Sequence, residues 1–201
     1  MNPPTESPTS QRLNKYVALC LGVSRRQADE LIEKKAIQVN DQVAVLGQHI
    51  TEHDRVSYEG RILSPKRHQL ILLHKPIGYL CSRASQGGVP TIYALLPQSL
   101  SHLKPVGRLD KDSSGLILLT NDGTFAHQMT HPSFYKVKRY LVTLDMPLAP
   151  LHQQMISDFG VDLVDGKSQL TLMPLNDSRR DWQVTMAEGR NRQIRRTFAA
   201  L

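Results

Sequence analysis

The fold of this chain turns on Val106-Gly107-Arg108-Leu109-Asp110-Lys111-Asp112-Ser113-Ser114-Gly115-Leu116-Ile117-Leu118-Leu119-Thr120-Asn121-Asp122-Gly123. A turn at Gly107 comes first, then Arg108 and Asp110 around an apolar Leu109. The run Leu116 to Leu119 is bracketed by Gly115 and by Asn121-Asp122-Gly123, too tightly for a helix, so it is expected to be a buried strand. Charges set against a core strand are costly unless paired or used. Asp110 is therefore either a turn carboxylate bridged to Arg108 or a reactive group.

Outward from this stretch, Leu70-Ile71-Leu72-Leu73 is expected to be a second buried strand, leaving through His74-Lys75-Pro76-Ile77-Gly78-Tyr79. Lys136 to Leu144 makes a strand with a basic first half, and Trp182 to Met186 makes another. Pro150 to Phe159 is expected to be helical, and two short strands flank Asp165-Gly166. Glu188-Gly189-Arg190-Asn191-Arg192-Gln193-Ile194-Arg195-Arg196 turns into a terminal helix. The helices are too few for a doubly wound sheet, so the sheet is mixed and mainly antiparallel, with flanking helices.

The N-terminal part has a different texture. Residues 1–10 have the composition of a disordered tail. Leu13, Tyr16, Val17 and Ala18–Leu21 form a helical stripe ended by Gly22. Ser24 opens a second helix with Gln27 three residues on, a capping-box spacing, and Ala28, Leu31 and Ile32 form its apolar face. Ile37-Gln38-Val39 meets a turn at Asn40-Asp41, Val43 and Val45 continue the alternation, and Val56-Ser57-Tyr58 follows another turn. Residues 11–60 are too few for an enzyme core and form an accessory domain; 61–69 is a polar linker, and 70–201 the main domain. The class is α+β.

Composition bounds the function. The chain has 201 residues, 40% of them hydrophobic, and a net charge of +7. That excess points to a polyanionic partner. Arg12, Lys15, Arg25 and Arg26 cluster near the helix start at Ser24, which suits phosphate binding. Two cysteines, Cys20 and Cys81, form no disulfide scaffold and suggest a reducing compartment. No apolar run approaches the roughly 20 residues of a membrane span, and no signal pattern opens the chain. The expected location is cytoplasmic. No phosphate loop, nucleophile elbow or metal-ligand spacing is present, so neither a metal nor a cofactor is expected.

A carboxylate, a tyrosine and arginines remain. Arg195 shares a helix face with Phe198 and is expected to point inward. A buried arginine needs an anion, and Asp110 is the best candidate. Such a pair favours the charged carboxylate that a nucleophile requires.

Gly107 to Leu116 followed by Leu119-Thr120-Asn121-Asp122-Gly123 resembles the catalytic motif of bacterial ribosomal-RNA pseudouridine synthases. Leu73-His74-Lys75-Pro76-Ile77-Gly78-Tyr79 resembles the family's opening strand and lysine-proline turn, with His74 where asparagine is commoner. Lys138-Arg139-Tyr140-Leu141-Val142 resembles its tyrosine motif, and Glu188 to Arg196 its last motif. Leu13-Asn14-Lys15-Tyr16, Ser24-Arg25-Arg26-Gln27-Ala28 and Ile37-Gln38-Val39-Asn40 resemble the helix-helix-strand RNA-binding module of a small-subunit ribosomal protein.

The resemblance implies conversion of uridine to pseudouridine in ribosomal RNA without a cofactor. Asp110 would be the nucleophile or base, Tyr140 would be a catalytic residue that packs on the target base, with help in proton removal as a further role, and Arg195 would pair with Asp110. Arg108 would hold a backbone phosphate or fill the space a flipped base leaves. Lys75, Arg192 and Arg196 would contact RNA, Lys75 with a fold role as its alternative. The implied partner is structured RNA, the implied state a monomer. Family members usually continue beyond the last motif, so the catalytic domain is expected to be C-terminally truncated at Leu201. The alternative reading is a non-catalytic RNA-binding or ribosome-assembly factor; a small-molecule lyase or hydrolase fits the basic N-terminal part poorly. Asp110→Asn separates enzyme from binding protein.

Overall fold

The computed structural model describes residues 10–131, 133, 134 and 136–201; the expected tail lies outside them up to residue 9. The chain divides into two compact units, Met1–Ala126 and His127–Leu201. The first holds the small module and the opening half of the main domain.

In the small module, α1 (Leu13–Leu21) packs beside α2 (Arg25–Glu33). Gly22 closes α1, donating its N–H to the Ala18 carbonyl at 3.0 Å. Both bonds of the expected capping box are present: Gln27 N donates to Ser24 Oγ at 3.1 Å, and Ser24 N donates to Gln27 Oε1 at 2.9 Å. A four-stranded antiparallel sheet follows, of β1 (Ile37–Val39), β2 (Gln42–Val43), β3 (Val56–Tyr58) and β4 (Arg61–Ile62) in the order β2-β1-β3-β4, and a separate pair joins Gln11–Arg12 to His49–Ile50. Strand β4 thus occupies the first two residues of the expected linker. Leu13, Val17, Ala28, Ile32, Ile37 and Val56 fill the core. Each buried valine, leucine or isoleucine among them contributes about 2 kcal/mol. Val43 and Val45 are exposed, and Ala44 between them is buried. The turn at Asn40-Asp41, with φ of 50° and 65°, shifts the inward phase by one residue.

The same unit carries a three-stranded antiparallel sheet, β5 (Leu70–Lys75), β6 (Lys104–Val106) and β7 (Gly115–Thr120), in the order β5-β7-β6. Ile117 and Leu119 pack with Ile92 and Leu103 beneath it. The two apolar runs are only half buried, contrary to expectation: Leu70, Leu72 and Leu116 are exposed on the other face. Antiparallel strands bury alternate residues when one face is covered, so continuous apolarity overstates burial. Helix α3 (Gly123–Thr130) follows, with Asp122 Oδ1 accepting from the N–H groups of Thr124 and Phe125 at its start.

The second unit is built on β8 (Lys138–Thr143), β11 (Thr171–Pro174) and β12 (Asp181–Met186), antiparallel in the order β8-β12-β11. Helix α4 (Pro150–Gln154) widens into a looser turn over Met155–Phe159. β9 (Val161–Leu163) and β10 (Gly166–Ser168) pair as a hairpin around Asp165, and α5 spans Gln193–Ala199. Trp182, Val184, Ile156 and Leu170 are the fully buried centre. Arg179 locks this core from its rim: its carbonyl accepts from Trp182 Nε1 at 2.9 Å, and its Nε donates to the Leu148 carbonyl at 2.7 Å.

Candidate active site

Asp110 sits, half buried, in the loop between β6 and β7. Gly107 and Gly115 bracket that loop with φ of 80° and 137°, turns that a side-chain-bearing residue would strain. The loop is fastened from below by Lys75. Its strand alternates Ile71, Leu73, Lys75 toward the interior, so the lysine enters the core at the strand's end. Lys75 has 0% exposure. Its Nζ donates to the carbonyls of Ser113 at 2.6 Å, Asp110 at 2.9 Å and Pro76 at 3.0 Å, with Lys111 at 3.4 Å. Burial pulls its pKa below the ordinary lysine range, and the nearby Cys81, Asp110 and Asp112 oppose that shift. An ammonium sealed under backbone carbonyls does not meet RNA phosphate; of its two expected roles, the structure places Lys75 in the fold role.

Three further bonds hold the same loop. Gly78 N donates to the Lys111 carbonyl at 2.8 Å, Ser113 N to the Asp110 carbonyl at 3.1 Å, and Leu109 N to Cys81 Sγ at 3.4 Å. The path of residues 109–113 is therefore fixed through its main chain. Asp110 is itself half buried, with Arg108 exposed beside it.

Tyr140 lies on β8 opposite Val184 of β12, half buried against the core of the second unit. Arg192 caps α5 in the left-handed region, φ 48°, and is exposed. Arg195 is exposed as well. The expectation of an inward arginine is corrected: Gln193 and Thr197, four residues apart, are the buried positions of α5, and this rotation turns residue 195 outward. Arg196 forks onto Asp165, Nη1 to Oδ1 at 2.9 Å and Nη2 to Oδ2 at 2.7 Å. Its expected contact with RNA phosphate thus competes with a two-bond ion pair. That carboxylate is held below its usual range by the Arg196 bonds first, with Arg190 adding to them.

In the small module, Arg12, Lys15, Arg25 and Arg26 are all exposed. Arg25 Nη2 reaches Asn14 Oδ1 at 3.5 Å, and Lys15 Nζ donates to Thr124 Oγ1 at 2.9 Å. Lys15 and Arg25 line one crevice of about 200 Å³ with His68, His102 and Lys104. The last three escaped the sequence reading because none lies in a periodic or motif pattern.

Comparison with known proteins fits this geometry. Residues 69–200 match the family model of RNA pseudouridylate synthase, and residues 11–56 match the S4 domain. The chain is 37% identical over 195 residues to a protein of Pasteurella multocida named ribosomal small subunit pseudouridine synthase A, covering 94% of this chain and 83% of that one. It is 33% identical over 198 residues to ribosomal large subunit pseudouridine synthase B of Bacillus subtilis, covering 95% and 80%. A solved structure described as a pseudouridylate synthase is similar at TM-score 0.62 and 33% identity, covering 94% of this chain and 82% of that one. A family match over residues 69–200, an S4 domain before it and relatives 33% to 37% identical over nearly the whole chain place this chain in the RNA pseudouridylate synthase family.

Proposed function

We propose that this protein isomerises a uridine of ribosomal RNA to pseudouridine, with Asp110 as the acting carboxylate. The observation that carries the reading is the fastening of the 109–113 main chain by Lys75, which sets Asp110 in place whatever the RNA does. Asp110 attacks the ribose anomeric carbon or the uracil ring, or takes the sugar proton that starts an elimination. In each route the bond from the ribose to N1 breaks, the uracil turns, and carbon five joins the ribose. The proton on carbon five leaves, and one returns to nitrogen. The balance needs no co-reactant.

Tyr140 packs on the target base, and Arg195 is the charge partner of Asp110. Arg108 holds a backbone phosphate or fills the place of the flipped base, and Arg192 neutralises phosphate. Residues 11–60 form the RNA-binding domain, through Arg12, Lys15, Arg25 and Arg26, and residues 70–201 the catalytic one. The protein works as a cytoplasmic monomer. Relatives named for both ribosomal subunits support ribosomal RNA as the substrate without choosing the subunit.

Asp110→Asn tests the reading. Transcribed ribosomal RNA carrying tritium at uracil carbon five releases one tritium per turnover. The variant should fold, bind RNA as well as the wild type or better, and release none. Wild-type release from a folded Asp110→Asn protein would leave an RNA-binding factor in place of the enzyme.

A further inference from the structure

The segment from Glu188 to Thr197 is short and enters α5 through a left-handed Arg192. A seven-residue helix does not fix its own rotation. Ile194 and Phe198 pack on the core of the second unit, and the β9–β10 hairpin holds the helix further in two layers.

The inner layer is buried and neutral. Ser168 Oγ lies 2.7 Å from Thr197 Oγ1 and accepts from Gln193 Nε2 at 3.1 Å. Gln193 Oε1 accepts from Arg190 N at 3.2 Å. The outer layer is charged and centres on Asp165. Its carboxylate takes the fork of Arg196, and Oδ1 also accepts from Arg190 Nη1 at 3.1 Å. Arg190 then spreads over the turn, with Nη1 on the carbonyls of Asp165 at 2.8 Å and Gly166 at 2.9 Å, and Nη2 on Lys167 at 2.8 Å. Gly166 has φ of 108°, and a Cβ there would stand 3.5 Å from Arg190 Nη1. One carboxylate thus ties the residue two positions before Arg192 to the residue just after Arg195.

We propose that Asp165 is a positioning residue for the isomerisation: by holding Arg190 and Arg196 together it sets the rotation of α5 and so the direction in which Arg195 is presented. This rests on the reading of Arg195 as the partner of Asp110. It also assigns Arg196, whose two terminal nitrogens are both engaged on Asp165, to the hairpin rather than to phosphate.

The test compares Asp165→Asn, Arg196→Gln, the double variant and Arg195→Gln in the tritium-release assay, with thermal melts alongside. Loosening a positioning contact should lower kcat roughly tenfold to a hundredfold with KM nearly unchanged. The double variant should be no slower than the slower single, because both changes break the same link. Wild-type kcat in folded Asp165→Asn overturns the proposal. So does a raised KM with a weaker salt dependence in Arg196→Gln, which would mark a phosphate contact. If Asp165→Asn melts early, Arg196→Gln, which breaks the clamp from the other side, decides alone by the same kcat criterion. A wild-type rate in Arg195→Gln sinks the underlying reading of Arg195, and the proposal with it. Loss there with full activity in folded Asp165→Asn and Arg196→Gln sinks the proposal alone.

Discussion

The two segments that carry Asp110 and Arg195 are held in opposite ways. The Asp110 loop is held through its main chain, by a buried cation that donates to carbonyls. The arginine segment is held through its side chains, by a partly exposed carboxylate and a buried neutral triad. The first arrangement fixes a backbone path and leaves the loop side chains to chemistry. The second fixes the rotation of a helix. They also differ in what failure leaves behind. Without Lys75, several partly buried carbonyls lose their donor; without the Asp165 carboxylate, Arg196 loses its ion pair while Arg190 keeps the carbonyls of the turn and Glu188.

The largest effect should come from Lys75→Met, which keeps volume but removes every donor. Carbonyls left without their donor cost up to about 1 to 3 kcal/mol each, and these are partly buried, so a loss of about 3 to 5 kcal/mol is expected in urea unfolding. A loss under about 1 kcal/mol would mean that the loop stands without its clamp. Thr197→Val should cost less, about 1 to 2 kcal/mol, because it removes one hydroxyl partner of Ser168 and leaves Gln193 bonded to it. An equal cost for the two variants would erase the distinction between the segments.

Acid sharpens the comparison from the other side. The folded Asp165 carboxyl gives up its proton at lower pH than the unfolded one, so its contribution is complete above the unfolded value of about 4 and is lost as pH falls through the folded value. The melting temperatures of the wild type and Asp165→Asn should therefore differ at neutral pH and converge in acid. A gap that persists at the lowest pH would assign the difference to something other than charge.

The smallest effect on stability is expected from the cysteines. Burial pushes the Cys20 thiol up to about 11, while Cys81 is partly exposed and accepts the Leu109 N–H. Iodoacetamide should label Cys81 first, slowing turnover with little change in melting. Faster labelling of Cys20 would show that the small module opens more readily than the loop.

Much of the frame was legible in the sequence because local signals agree there. The box at Ser24 and Gln27, the stop at Gly22 and the turn at Asn40-Asp41 each act within a few residues. The Asp110 loop was legible as a motif bracketed by glycines. Lys75 could have been read as internal, since Ile71, Leu73 and Lys75 share one phase of an alternating strand; the phosphate expectation followed its charge instead. Arg195 was placed by its spacing to Phe198, but the most buried positions of α5 are polar Gln193 and Thr197, beside Ile194 and Phe198, and a hydrophobic pattern counts the polar pair as outward. Asp165 carried no signal beyond a turn, because its partners lie 25 and 31 residues away.

The clamp at Lys75 also has a consequence in time. Its bonds to the loop close separations of 35 and 38 residues, and they can form only when β5 has paired with β7 and brought the lysine beneath the turn. The loop has no shorter route to its final path. A refolding chain should therefore regain its sheet before it regains a placed Asp110. Recovery of turnover should trail recovery of the circular-dichroism signal, with Asp110 among the last groups to arrive.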